Sequence, residues 1–214
     1  FLDRVTVGDW VSVSDGRATV LWSSPDAPVA SLGGLRPDRV SPAHACRHAG
    51  TAAPAPVLRG GMIVSCVAAN NFGTNFAVSQ SGTLLFRYAA AFHAGPPSAA
   101  AASAFGEAAR SPLVPVFTRH PGPRTLPPAG SFLRVSSPDI RVLTLKTADD
   151  GDGCVVRLWN PGDRPVRASV SLPGTRVVRA APCSLTEEAA GAGLPARGDS
   201  FPSGSPAATS PRSA

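Results

Sequence analysis

Apolar and polar residues alternate in several short stretches of the chain, and this alternation predicts β-strands. Between Trp10 and Trp22, valines alternate with serines before Asp15-Gly16, and the alternation resumes after this dipeptide. Asp-Gly tolerates the positive φ that a two-residue turn needs. The stretch therefore predicts a β-hairpin.

The clearest alternation lies between Cys154 and Gly174. Apolar residues occupy every second position on both sides of Asn160-Pro161-Gly162-Asp163, a sequence that favours a turn. A period of two with one apolar face is typical of half-buried antiparallel strands. We expect one such strand on each side of this turn.

Other stretches complete a mainly β, antiparallel β-sandwich with one short helix. The helix is predicted over Ser98 to Ala109, because this stretch is rich in alanine and lies between Pro97 and Pro112. Further strands are predicted from β-branched or alternating residues at Met62 to Val67, Thr83 to Ala89, Ser131 to Ser136, Ile140 to Thr147 and Arg176 to Ala181.

The end of the chain differs in composition from the rest. From Gly191 to Ala214 it is dominated by Gly, Ala, Ser and Pro, and such a segment buries too little apolar surface to offset its ordering entropy. We therefore expect one domain over residues 1–190 and a disordered tail over residues 191–214.

Charge and terminal features exclude some classes of function. The net charge is +6, but the arginines are scattered and Lys146 is the only lysine, so we expect no nucleic-acid partner. No apolar run approaches the roughly 18 residues of a membrane span, and no signal peptide opens the chain. We expect a soluble fragment that starts at Phe1, without membrane association. Four cysteines leave the compartment undecided.

Residues with metal-ligand or catalytic chemistry are few. Asp149, Asp150 and Asp152 resemble half of a calcium loop without its bidentate Glu, which favours a solvated hairpin turn. The neighbours Glu187 and Glu188 are expected to diverge or to be solvated. The ligand types His44, Cys46 and His48 suit zinc, but their spacing does not suit a tetrahedral site, so an exposed loop is favoured.

The other motifs do not indicate a specific catalytic or binding site. There is no nucleophile elbow and no phosphate-binding glycine loop. Arg197-Gly198-Asp199-Ser200 matches a cell-adhesion tetrapeptide, a match expected by chance in an Arg- and Gly-rich tail. The polar cluster Asn70 to Asn75 precedes an apolar run, and its residue types are typical of turns and strand entries.

Read in order, several motifs resemble the C-terminal β-sandwich region of glycoside hydrolase family 38, the α-mannosidases. They are VGDWVSVSDG, SPDAPVASLGGL, NNFGTNFAVSQSGTLLFRY, AFGEAARSPLVPV and VLTLKTADDGDGCVVRLWNPGDRPV, and they extend from about Val7 to about Glu188. The resemblance implies a supersandwich of the galactose-mutarotase-like type. The family closes its sandwich with a strand after Glu188, and here we expect that strand to be missing, which leaves an open sheet edge.

The same resemblance implies retaining α-mannoside hydrolysis in the parent family, with an Asp nucleophile and a divalent metal, usually zinc. Those residues belong to a catalytic domain outside this sequence. We therefore assign no catalytic residue, metal ligand or cofactor to this chain and expect it to be inactive alone. The implied partners are that catalytic domain and mannose-containing glycans. The candidate contacts with either partner are Asn71, Thr74, Asn75 and Arg87.

Two other functions remain open at this point. One is a free-standing carbohydrate-binding sandwich, although three Trp and one Tyr provide few aromatic platforms for sugars. The other is a structural or adhesive β-domain, for which the Arg-Gly-Asp sequence would matter only in a secreted protein.

Overall fold

The computed structural model describes residues 4–33, 60–68, 79–117, 119, 122 and 126–205. It divides into two compact units. The N-terminal unit comprises residues 1–97 and 102–112, and the C-terminal unit comprises residues 98–101 and 113–212. No helix in the described ranges is long and apolar enough to cross a membrane. The expectation of a single domain over residues 1–190 stays a prediction.

The N-terminal unit contains two three-stranded antiparallel sheets. One has the order β1-β4-β5 and the other the order β2-β3-β6. The strands are β1 (Arg4–Thr6), β2 (Val11–Ser14), β3 (Ala18–Ser23), β4 (Val29–Leu32), β5 (Ile63–Ser65) and β6 (Ala89–Ala94).

The predicted hairpin over Trp10 to Trp22 is confirmed as β2 and β3. Its turn forms because the Asp15 carboxylate accepts hydrogen bonds from the Arg17 and Ala18 amides, both at 2.8 Å, while Gly16 adopts φ +87°. The register pairs Ser14 with Thr19, and the Asp15 amide donates to the Ala18 carbonyl at 3.2 Å. The two turn residues are therefore Gly16 and Arg17, one position later than predicted.

The predicted helix is confirmed as α1 (Ala99–Arg110). Its start is capped by Ser98, whose Oγ accepts a hydrogen bond from the Ala101 amide at 3.1 Å. Gly106 lies so close to the segment before β2 that an added Cβ would be 2.7 Å from the Asp9 carbonyl oxygen. Arg110 also forms a 3.2 Å ion pair with Asp9.

The C-terminal unit contains a three-stranded sheet of order β11-β10-β7 and a two-stranded sheet of β8 and β9, both antiparallel. Val170 and Ile140 are its most buried large apolar side chains. The strands are β7 (Arg134–Val135), β8 (Arg141–Thr147), β9 (Cys154–Trp159), β10 (Val166–Ser171) and β11 (Ser200–Ser205).

The two alternating strands around the Asn-Pro-Gly-Asp turn are confirmed as β9 and β10, but they belong to different sheets. Asn160 is 2% exposed, and its side-chain Nδ2 donates to the Arg164 carbonyl at 2.6 Å while its Oδ1 accepts from the Gly162 amide at 3.0 Å. The buried amide therefore fixes a connection between two sheets, as a sandwich requires.

Three strand predictions need correction. Thr83 to Ala89 is not a strand before Ala89, because the Arg87 amide donates to the Asp26 carboxylate and not to a neighbouring strand. The stretch from Arg176 to Ala181 contributes only an isolated bridge between Ala180 and Leu194. The strand predicted over residues 131–136 is reduced to two residues, Arg134–Val135.

The tail prediction is wrong for residues 191–205. Strand β11 pairs with β10 over six positions, from Val166 opposite Ser205 to Ser171 opposite Ser200. We expected no strand after Glu188, and this expectation is wrong, because β11 is built from SFPSGS. Pro202 is tolerated because β11 is an edge strand. Residues 206–214 lie outside the described residues.

Candidate functional site

The end of the β3–β6 ladder holds an ion pair. The Asp26 carboxylate accepts hydrogen bonds from Arg87 at the amide nitrogen (2.8 Å), Nε (2.9 Å) and Nη2 (2.7 Å). Two parallel bonds from the guanidinium to one carboxylate give this pair a fixed geometry. The Arg87 side chain is 59% exposed and that of Asp26 is 25% exposed, so solvent reaches both groups.

The ion pair shifts the pKa values of both of its members. Hydrogen bonds from the Arg87 side chain, and then from its amide, lower the pKa of Asp26 to about 2. Asp26 in turn raises the pKa of Arg87. Both groups therefore remain charged across the physiological pH range.

Two aromatic rings contact each other at the same end of the β3–β6 ladder. Tyr88 follows Arg87 in sequence, and its ring centroid is 5.8 Å from that of Trp22 with an interplanar angle of 30°. The Tyr88 hydroxyl donates to Ser65 Oγ at 3.2 Å, which ties the ring to β5. Because 47% of Tyr88 remains exposed, part of this aromatic pair is open to solvent.

A second charged cluster lies in the C-terminal unit. The Glu187 carboxylate accepts from Lys146 Nζ at 2.5 Å and from the Asp149 amide at 2.8 Å. Lys146 also binds the Asp149 carboxylate, and Arg157 donates to the Leu185 carbonyl at 2.8 Å. These contacts connect the segment from Ser184 to Glu188 with strands β8 and β9.

Glu187 is held in an unusual backbone conformation. Its φ is +66°, and it is the only described non-glycine residue with positive φ. Its side chain is 10% exposed, and its pKa is lowered by Lys146 and then by the Asp149 amide. Asp149 and Glu187 raise the pKa of Lys146. A charged carboxylate therefore stabilises a strained turn.

The Asp-rich loop is the turn of the β8–β9 hairpin, as predicted. Gly151 and Gly153 adopt φ +79° and +97°, and the three aspartates have separate partners. Asp149 binds Lys146, Asp150 accepts from the Asp152 amide, and Asp152 forms a 3.3 Å ion pair with Arg179. Within the described ranges no three His, Cys, Asp or Glu side chains lie together as a metal site would require.

Glu187 and its neighbour Glu188 diverge, as expected, because Glu188 is exposed. The Arg-Gly-Asp sequence forms a tight turn, in which the Ser200 amide donates to the Arg197 carbonyl at 3.0 Å. This turn leads directly into β11 and does not belong to a disordered tail.

Of the four candidate contact residues, the structure describes Arg87 alone. Asn71, Thr74 and Asn75 lie outside the described residues, as do His44, Cys46 and His48. The sequence reasoning did not identify Asp26, which lies 61 positions from Arg87 and has no local signal beyond the quoted Ser-Pro-Asp. It also did not pair Trp22 with Tyr88, because only the β3–β6 register brings them together.

One comparison with known proteins gives a match. No curated protein and no solved structure matches the chain. The family model of the glycosyl hydrolases family 38 C-terminal beta sandwich domain matches residues 139–203, which include strands β8 to β10 and the first four residues of β11. The mainly β, antiparallel fold predicted from the sequence is confirmed. The match confirms the resemblance to the C-terminal β-sandwich of glycoside hydrolase family 38 over residues 139–203.

Proposed function

We propose that the chain is a non-catalytic C-terminal part of an α-mannosidase-like glycoside hydrolase, which packs against and supports a catalytic domain. The match of residues 139–203 to the family's C-terminal sandwich carries this proposal. In this role the chain does not hydrolyse mannosides by itself, and it contributes to mannose metabolism only through its partner domain.

Exposed apolar residues of the C-terminal unit support the docking role. Leu143 and Leu145 of β8 are 59% and 45% exposed, and Leu143 lies where the β8–β9 register is irregular. The alternate residues Thr144 and Lys146 are less exposed, and Lys146 contacts the segment from Ser184 to Glu188. Lys146 of β8 is thus covered by the chain itself, whereas Leu143 and Leu145 are open to solvent.

A second exposed apolar stretch precedes β7. Leu113 is 99% exposed and Phe117 is 94% exposed, and Val114 and Val116 between them are also exposed. Large exposed apolar surfaces are uncommon on proteins that act alone and mark sites of association. The partner proposed for these surfaces is a catalytic domain, because a match to a C-terminal domain of glycosyl hydrolases implies a catalytic domain in the parent enzyme.

The carboxylates of the two clusters do not suit hydrolysis. A retaining glycosidase needs two facing carboxyl groups about 5 Å apart, one as nucleophile and one as acid. Asp26 and Glu187 belong to different units. Asp149 and Glu187 do lie close together, but they share the Lys146 ammonium, which pairs with both carboxylates. The candidate contacts Asn71, Thr74, Asn75 and Arg87 are proposed to face the catalytic domain or a glycan.

Docking can be tested by mixing the chain with the catalytic domain of a family 38 α-mannosidase that lacks its own C-terminal sandwich. We expect co-elution in size-exclusion chromatography and higher thermal stability of the catalytic domain. Leu143→Asp combined with Leu145→Asp should abolish co-elution, because two buried charges at an interface are strongly unfavourable.

The matched control is Leu185→Asp, which adds a charge at an 81% exposed leucine outside the strands. It should leave co-elution unchanged. Absence of co-elution with the unmodified chain, or equal loss in the control, would contradict the docking role. Hydrolysis of a chromogenic α-mannoside by the chain alone would contradict the non-catalytic assignment.

A further inference from the structure

The stretch that follows α1 leaves backbone groups as well as apolar side chains without partners. We call residues 113–117, with the sequence LVPVF, the exposed segment. Val114 and Val116 are 81% and 79% exposed, and Leu113 and Phe117 are exposed still further. None of the backbone N–H and C=O groups of the segment hydrogen-bonds to another described residue. A partner that covers the segment must therefore satisfy its backbone groups too, because buried unpaired backbone groups are costly.

The local sequence favours an extended backbone in the exposed segment. Pro112 and Pro115 cannot continue the hydrogen bonding of α1, and Pro115 restricts Val114 to the β or polyproline region. Valine and phenylalanine both favour strands. The segment therefore needs little rearrangement to become a β-strand.

As a strand, the exposed segment is apolar on both faces. Side chains alternate along a strand, so Leu113, Pro115 and Phe117 share one face, and Val114 and Val116 share the other. A short continuous apolar run of this kind is typical of a strand that is buried on both faces. We therefore expect the segment to be covered from two sides at once, as it is within a layered sheet.

Pro115 determines which edge of this strand can pair. In a strand, the N–H and C=O groups of alternate residues point to the same edge. The edge that Leu113, Pro115 and Phe117 share lacks one amide, whereas the edge of Val114 and Val116 has all of its groups. Proline occurs in sheets where its own N–H side faces solvent. The segment can therefore add to one neighbouring strand, and Pro115 lies at the new outer edge.

We propose that the exposed segment docks by strand addition: it becomes an edge strand of a sheet in the catalytic domain and pairs through the backbone of Val114 and Val116. The inference rests on the proposed function and adds the mode of docking. Main-chain hydrogen bonds to an open strand edge supply affinity, and the alternate side chains enter pockets of the partner. Two copies of the segment that paired with each other would form only a two-stranded ribbon, which is marginally stable in water.

Amide hydrogen exchange tests the pairing edge directly. The full chain is mixed with the family 38 catalytic domain that lacks its own C-terminal sandwich, and exchange is followed for single residues by mass spectrometry. The Val114 and Val116 amides should exchange at least about 10-fold more slowly in the complex, because they become hydrogen-bonded. The Leu113 and Phe117 amides point to the outer edge, and their exchange should slow by less than about 3-fold.

Proline variants separate the backbone bond from the side chain. Val116→Pro removes a pairing amide, whereas Val116→Ala keeps it. Val116→Pro should raise the Kd at least about 10-fold more than Val116→Ala, because it leaves a buried acceptor of the partner unpaired. Leu113→Pro and Leu113→Ala are the matched control at the outer edge, and their Kd values should differ by less than about 2-fold. All four variants should keep the Tm of the unmodified chain, since the segment makes no backbone bond to a described residue.

Three results would overturn strand addition and leave the docking role intact. The first is co-elution of the unmodified chain without slower exchange at Val114 and Val116. The second is equal weakening of binding by Val116→Pro and Val116→Ala. The third is a dimer of the chain alone that Val116→Pro abolishes, which would assign the segment to a second copy. Absence of any co-elution would instead contradict the docking role, and strand addition with it.

Discussion

The two units of the molecule are stabilised by different means. In the N-terminal unit Leu21 is the only large apolar side chain among the most buried described residues, and the others are Ala, Ser and Thr. Backbones therefore approach closely there, as Gly106 does to Asp9. In the C-terminal unit, specific side chains such as Asn160 and Glu187 fix the loops between strands.

Because of this difference, we expect the stability of the two units to respond differently to added side-chain volume, to pH and to the loss of polar groups. A unit built on close backbone approach tolerates little added volume, since its neighbours have no room to move. A unit whose loops are fixed by a charged carboxylate and a buried amide is instead sensitive to pH and to loss of single polar groups. The predictions below separate these two modes of stabilisation.

The largest effect is expected from removing β11. A chain that ends at Asp199 exposes the edge of β10, beside the fully buried Val170. We expect the Tm of the C-terminal unit to fall by roughly 10 °C or more, since about 1 kcal/mol already shifts a small domain by about 4–8 °C. Calorimetry on this truncation and on a chain that ends at Ser205 measures the difference. Equal Tm values would show that residues 200–205 do not stabilise the C-terminal unit and belong to the tail.

An intermediate effect is expected from Gly106→Val. The new Cβ would be 2.7 Å from the Asp9 carbonyl oxygen, and overpacking of this kind costs about 1–3 kcal/mol. Gly8→Val is the matched control, because no atom lies within 4 Å of its added Cβ. Urea unfolding gives both values, and an equal loss in the two variants would show that close approach is not what restricts the N-terminal unit.

A smaller, pH-dependent effect is expected from Glu187→Gln. The pKa of Glu187 is lowered from 4.5 in the folded state, so its contribution is present above that value and is lost as pH falls through the lowered pKa. The variant should lose this acid dependence, and Glu188→Gln should keep it. Stability curves between neutral and acidic pH measure both, and identical curves would exclude Glu187 as the titrating group.

Local signals made the strands and turns predictable. The hairpin around Asp15, the helix after Ser98 and the turn at Asn160 each depend on residues close in sequence, and each is present. The prediction from composition alone was wrong for the last strand, β11. SFPSGS contains few apolar residues, and it forms β11 because β10 offers it six pairing positions.

The site was harder to predict because it depends on distant partners. Arg87 was identified through its motif, but the Asp26 carboxylate that orients it is 61 positions away. The Arg87 amide donates to this carboxylate, so the strand predicted from Thr83 does not form before Ala89. The Trp22–Tyr88 contact likewise requires the β3–β6 register. Local patterns predicted some of the strands, whereas pairing between distant segments determined β11 and which side chains meet.

The proposed docking through the exposed leucines of β8 is tested most directly by calorimetric titration with a family 38 catalytic domain. Burial of Leu143 and Leu145 predicts binding with a negative heat-capacity change, which disappears when both are replaced by Asp. No binding heat at any temperature, or an unchanged heat-capacity change in the double variant, would contradict it.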